Sequence, residues 1–251
     1  MNPAFASTPL VRLLSQWTPP ASPAAPDAGG DTAAQLAGWV SAFDAIGLHQ
    51  AHKAIQAIQA IPDRSPGAAD TPPDGMAALA DDFARVRAQQ AAAIAQAPAL
   101  PNEFTFAPYR RRHLELQRQV GLAVDALRER VRCALAQSGP ALRQLAVLDA
   151  AMDKVMAPRE QTLLPVAVAV LDRRFGLLQA AHLKALHDAQ QALPEGAAPA
   201  EDDPMRWRRP GAWLHGFEAD WQRALLAELD LRLEPVAGLI EATGYDLNLS
   251  H

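Results

Sequence analysis

The sequence predicts an all-α protein, an elongated bundle of about six long amphipathic helices preceded by a short helical arm. Three observations carry that prediction. Apolar residues recur every three or four positions through most of the chain and nowhere sustain an alternation of period two. Alanine leads the apolar set while aromatic residues make up only 6%, a balance that favours helix over strand. Most of the 21 prolines gather at 19–26, 62–73, 98–108 and 194–210, where they separate the periodic stretches.

The first element is an arm. Thr8 and Pro9 read as an N-cap with proline at the first helical position, and Leu10, Leu13, Leu14 and Trp17 then form a short apolar face. The stretch 19–30, PPASPAAPDAGG, cannot continue a helix and reads as a linker. Residues 1–30 are therefore an arm and linker, with 31–244 a single helical domain and 245–251 a tail.

Asp31 and Thr32 open a helix carrying Leu36, Trp39, Val40, Phe43 and Ile46, weakened at Gly47 and extending to about Ile61. After a loop at 62–75, Leu79, Phe83, Val86 and Ile94 mark the next helix, which reaches about Ala97. The central helix starts near Pro108. Its Leu116, Val120, Val124, Leu127, Val131 and Leu135 are spaced so that all share one face.

Ser138, Gly139 and Pro140 turn the chain, and Leu142, Leu145, Leu148, Met152 and Val155 continue the pattern. Pro158 and Pro165 then interrupt the return helix. Either Thr162 caps a new helix or the same helix runs on with a kink. Leu164, Val168, Leu171, Phe175, Leu178, His182 and Leu186 hold one stripe to about Leu193. A polar loop at 194–211 is long enough to be mobile or functional. The last helix keeps Leu214, Phe217, Trp221, Leu225, Leu229, Leu233, Val236 and Ile240 in phase through Pro235, so one kinked helix is expected, ended by Gly244.

Charge is divided between two helices. Segment 105–143 holds eight arginines against three acids, whereas segment 211–251 holds seven acids against two arginines. Opposite signs make these two helices expected neighbours. The net charge of −5 argues against a general nucleic-acid or anionic-membrane binder. Cys133 stands alone, which excludes an intramolecular disulfide. The longest strongly apolar run, Leu163–Leu171, is too short to span a bilayer, and the N-terminus lacks the pattern of a signal peptide. A cytoplasmic protein without membrane insertion is expected.

The search for chemistry finds no dinucleotide fingerprint, P-loop, nucleophile elbow or HExxH. None of the seven histidines has an acid three residues before it, so the Glu-x-x-His pairs of a di-iron bundle are missing. No catalytic residue, cofactor or metal ligand is assigned. His49 and His52 share a helical face but lack further ligands and read as a surface pair. His182, on an apolar stripe, reads as a hydrogen-bonded core histidine rather than a base. Cys133 has Arg130 and Arg132 nearby, yet a mid-helix cysteine among leucines reads as packing. Asp149, Asp153 and Glu160 read as a salt-bridged outer face.

Arg110, Arg111 and His113, at the start of a helix, form a candidate anion or ligand site. Consecutive residues fan out by about 100° each, so the simpler reading is a solvated run. With Arg112, Asp149 and Glu160 they define a candidate pocket for a small-ligand binder or enzyme. Arg206, Trp207, Arg208 and Arg209 interleave an aromatic with cations, as single-strand platforms do, although Glu201, Asp202 and Asp203 precede them and make nucleic acid an unfavoured partner. Leu10, Leu13, Leu14, Trp17, Trp207 and Trp213 are the candidate partner surface.

The blocks FAPYRRRHLELQR, RVRCALA, LAVLDAAMDKVMAPREQTLLPVAVAVLDRRF and WLHGFEADWQRALLAELDLRLEPVAGLIEA resemble a proteobacterial family known as domain of unknown function thirty-three forty-eight. The resemblance runs from LVRLLSQW to Glu241. It implies no activity and transfers no functional residue; it implies association with cell-envelope assemblies, not chemistry. The resulting expectation is a non-enzymatic helical interaction protein that self-associates or docks on a larger assembly.

Overall fold

The computed structural model describes residues 9–17, 42–59, 73–96, 104–193 and 202–244. Six α-helices run through them: α1 (Pro9–Trp17), α2 (Ala42–Gln59), α3 (Pro73–Ala95), α4 (Ala107–Gln137), α5 (Pro140–Gln191) and α6 (Trp213–Glu241). A short 3-10 turn, Pro204–Arg206, precedes α6. Among the described residues there is no strand. The expected helix over 31–61 is met at 42–59; its apolar residues Leu36, Trp39 and Val40 lie outside the described residues, as do the side chains of Phe43 and Ile46.

The central helices assemble for the reason their spacing implies. Leu116, Val120, Val124, Leu127, Val131 and Leu135 of α4 are all buried, as are Leu214, Phe217, Trp221, Leu225, Leu229, Leu233, Val236 and Ile240 of α6. Leu79, Phe83, Val86 and Ile94 of α3 close the same core. Burying each such side chain contributes about 1.5–3 kcal/mol, so the three stripes seal one another.

Cross-helix bonds give the directions. Tyr109 meets Glu218, Gln117 meets Glu228 and the Gln117 carbonyl meets Arg232, so α4 and α6 run parallel. Arg110 meets Asp172 while Arg128 meets Asp149, so α5 runs antiparallel to α4.

Pro158 and Pro165 do not divide α5. It is one helix of 52 residues, about 78 Å long, so Thr162 caps no new start. Its stripe is only partly sealed. Ala146, Ala167, Val168, Leu171 and Phe175 are buried, but Leu148 and Met152, expected in the core, are 42% and 41% exposed. Between Ala146 and Ala167, Val155 is the one buried hydrophobic residue among those whose side chains are described. At 100° per residue Leu148 and Met152 project at least about 100° away from the buried Ala146, Val168, Leu171 and Phe175, so the stripe drifts off the packed side of the helix here. α2 packs against α5 and against no other described helix, and buries Ala51.

α6 continues through Pro235 as expected, and Gly244 follows it with φ 84°, a left-handed conformation that glycine takes without a Cβ clash. The arm helix α1 docks on this chain itself, against α5 and α6. Leu13 and Trp17 pack on the core, and the Arg174 guanidinium lies 5.8 Å from the Trp17 ring centroid.

Candidate functional site

The interior holds polar groups that the apolar pattern does not account for. His113 is fully buried, with its Nε2 3.1 Å from Glu228 Oε1, while Gln117 Nε2 donates to Glu228 Oε2 at 2.7 Å. Arg232 reaches the Gln117 carbonyl at 3.1 Å. It approaches α4 closely because Gly121 has no side chain: a Cβ there would stand 3.0 Å from the guanidinium. One turn and more before His113's level, Tyr109 Oη donates to Glu218 at 2.6 Å and Arg208 binds the same carboxylate at 2.8 Å. Burial, reinforced by the Glu218 bond, pushes the Tyr109 hydroxyl well above its ordinary range. Tyr109 thus stands as a donor to Glu218. Asp220, also buried, is held by Arg174 at 2.9 Å and by Arg223.

A second cluster ties α4 to α5. Arg128 and Arg132 share Asp149 and Asp153 at 2.5–2.9 Å. Burial pushes the Asp149 carboxyl up, but the hydrogen bonds and charges of both arginines outweigh it and hold the group below its ordinary value. Two cations meet two anions, so the cluster is internally balanced. It faces α4, not an outer surface as expected. The Glu160 side chain lies outside the described residues.

The candidate pocket residues do not converge. Arg110 and Arg111 line a shallow groove of about 540 Å³ with Phe106, Ala107, Leu114 and Asp172. Arg110 is already paired with Asp172 at 2.9 Å. His113 points the other way, into the core. Asp149 sits beside Arg128, eighteen residues along α4 from Arg110 and so about 27 Å away. One ligand cannot touch all three.

The arginine–tryptophan run is likewise committed. Trp207 is 2% exposed, its indole N–H donates to Asp202 at 2.7 Å, and its ring lies 5.5 Å from that of Trp213. Trp213 is also buried. Neither tryptophan offers a surface to a partner or a face to a base, which corrects their place in the candidate partner surface. Leu10, Leu13, Leu14 and Trp17 are half-buried on the chain's own helices. His182 is the expected hydrogen-bonded histidine, 3.0 Å from Asp202 and stacked near Trp213. Cys133 is exposed rather than packed, with Glu129 as its neighbour. His49 and His52 are exposed. Among the described residues no three His, Cys, Asp or Glu side chains converge as a metal would require.

Glu228, Gln117, Glu218 and Tyr109 were not singled out from the sequence, yet a signal exists. His113, Gln117, Val120, Val124 and Leu127 repeat at 4, 3, 4 and 3, so both polar residues stand on the apolar stripe. Glu228 likewise follows Leu225 by three.

Fold and polar clusters together define an all-helical protein whose interior charges are answered by one another. The chain belongs to the family described as Protein of unknown function (DUF3348), whose model matches residues 1–244. No curated protein and no solved structure matches it. Among the described residues no helix is long and apolar enough to cross a membrane.

Proposed function

We propose that this chain is a non-enzymatic helical interaction protein, and that α5 presents its contact surface. The observation that carries the proposal is a row of exposed apolar side chains on α5. Leu148, Met152, Met156 and Val166 are each more than 40% exposed, and at 100° per residue they fall within about 80° of one another. A row of large apolar side chains on one helix is the kind of surface that partners cover. Among the described residues the buried carboxylates Asp220 and Glu228 are each bonded to donors of the same chain and tie helices together. Envelope assemblies, implied by the family resemblance, are the natural place to look for the partner.

The test is site-specific photo-cross-linking in the native host. A photoreactive residue at Met152 is expected to give a discrete adduct, whereas one at Met205, 78% exposed but remote from the row, is not. Equal, diffuse labelling at both positions would contradict the proposal. So would no adduct at Met152.

A further inference from the structure

The outward face of α4 is a different surface, and its charges have a direction. Arg110, Arg112, Arg128, Arg130 and Arg132 each pair with a carboxylate of the chain. Arg111 and Arg118 have no such partner among the described residues, and neither has Asp125. With Leu122 and Glu129 these residues fall within about 60° on one side of the helix, all of them exposed. Leu122, at 61%, is the most exposed leucine among the described residues. The face is thus cationic before Leu122 and anionic after it. Glu129 is only loosely held, 3.6 Å from Arg132, and Glu115, at the edge of the face, is bound by Arg112 of its own helix.

We propose that a second copy of this chain docks antiparallel on this face, with the two-fold axis beside Leu122. The pattern is self-complementary in that arrangement, as a two-fold interface requires. Leu122 packs on its counterpart, and Arg118 of each copy stands opposite Asp125 of the other. Arg111 and Glu129 of opposite copies are offset by about 6 Å along the seam, within the reach of an arginine, and Glu129 stands level with the Glu115 that Arg112 already neutralises. A parallel pairing would set like charges against each other.

The size of the face sets the strength. A helix of 31 residues is about 46 Å long and about 10 Å wide, so it covers about 450 Å² per copy, below the roughly 800 Å² per partner of a standard interface. The dimer is therefore weak and concentration-dependent. This inference rests on the interaction reading above and gives one face of the protein a partner. Its readouts at Leu122 and Arg118 are separate from cross-linking at Met152, so either can fail without the other.

The test begins with sedimentation equilibrium across a range of concentrations, where a monomer–dimer equilibrium is expected. Arg118→Asp sets two acids opposite each other and is expected to raise the dissociation constant by about tenfold or more. Combining Arg118→Asp with Asp125→Arg reverses both charges and is expected to restore the dimer to within about threefold of the original. A structural defect from either change would not be rescued in this way. Leu122→Cys in a Cys133→Ser background is expected to form a disulfide-linked dimer on mild oxidation. Leu177→Cys in the same background, on α5, is not. Native Cys133 lies about 16 Å along the helix from the axis, so its two copies stay apart. A strict monomer at high micromolar concentration, a dimer indifferent to Arg118→Asp, or cross-linking at position 177 but not 122 would each overturn the proposal.

Discussion

The stretch of α5 from Leu148 to Val166 and the stretch beyond it share one helix, but their large apolar side chains leave it on different sides. At Val168, Leu171 and Phe175 the helix is clamped by α4 and α6, and the Phe175 ring meets Phe217 edge-on at 5.0 Å. Between Leu148 and Val166, Val155 is the buried hydrophobic residue among those whose side chains are described, and Ala51 is that of α2, which packs against α5. Apolar spacing of three and four gives a packed core on one side of the helix and an exposed row on another. Periodicity fixes which side of a helix is apolar; whether anything covers that side depends on where the other helices lie. α4 runs beside this stretch too, since Arg128 binds Asp149 and Arg110 binds Asp172, so the row is exposed because of the side of α5 it leaves from.

The contrast is sharpest in stability. Phe217 touches Phe106, Tyr109 and Phe175 at ring-centroid distances of 5.0–6.0 Å, so Phe217→Ala is expected to cost about 3–5 kcal/mol. Met152→Ala, in the exposed row, is expected to stay within about 0.5 kcal/mol. Chemical denaturation of the two variants measures the difference; equal losses would erase the distinction between the two regions.

A smaller effect is expected from the buried polar group of the clamped region. Glu228→Ala strands the His113 and Gln117 side chains, and leaving such groups unpaired in the interior costs about 2–4 kcal/mol. Glu228→Gln keeps an acceptor and is expected to lose less. If Ala and Gln behave alike, the hydrogen bonds are not what holds α4 to α6 at this level.

The smallest effect is tied to pH. Asp149 is held below its ordinary value in the folded chain. A carboxyl depressed by folding contributes its full stabilisation above the ordinary carboxylate range near pH 4, and that contribution is lost as pH falls through the folded value. Asp149→Asn is therefore expected to destabilise the protein by about 1–2 kcal/mol at neutral pH, with the gap to the parent protein closing in acid. A gap that widened on acidification would reverse the sign and refute the pairing with Arg128 and Arg132.

Much of the fold was legible in the residues. The stripes of α3, α4 and α6 are buried as their spacing implied, the helix through Pro235 is continuous, and the glycine stop at Gly244 has the conformation expected of it. The basic and acidic helices are neighbours, but their charges pair differently than expected. Arg128 and Arg132 turn to Asp149 and Asp153 of α5, while Arg174, Arg208 and Arg87 serve the acids of α6. Net charge marks proximity, whereas partner choice depends on the turn of helix each side chain leaves from.

The candidate sites were less legible, for the same reason. Arg110, Arg111 and His113 adjoin in sequence but project to different sides of α4, one toward Asp172, one into solvent and one toward Glu228. Trp207 and Trp213 look like exposed anchors in a polar stretch, yet they fold onto each other, because an aromatic ring near Phe104 and Phe175 gains more from burial than from solvent.

Hydrogen exchange resolved along the chain tests the division of α5 most directly. The amides of α4 from His113 to Leu135 and of α6 from Phe217 to Ile240 are expected to exchange only with global unfolding, whereas those of α5 from Leu148 to Val166 exchange by a local opening of lower free energy. Uniform protection along α5, equal to that of α4 and α6, would contradict the account.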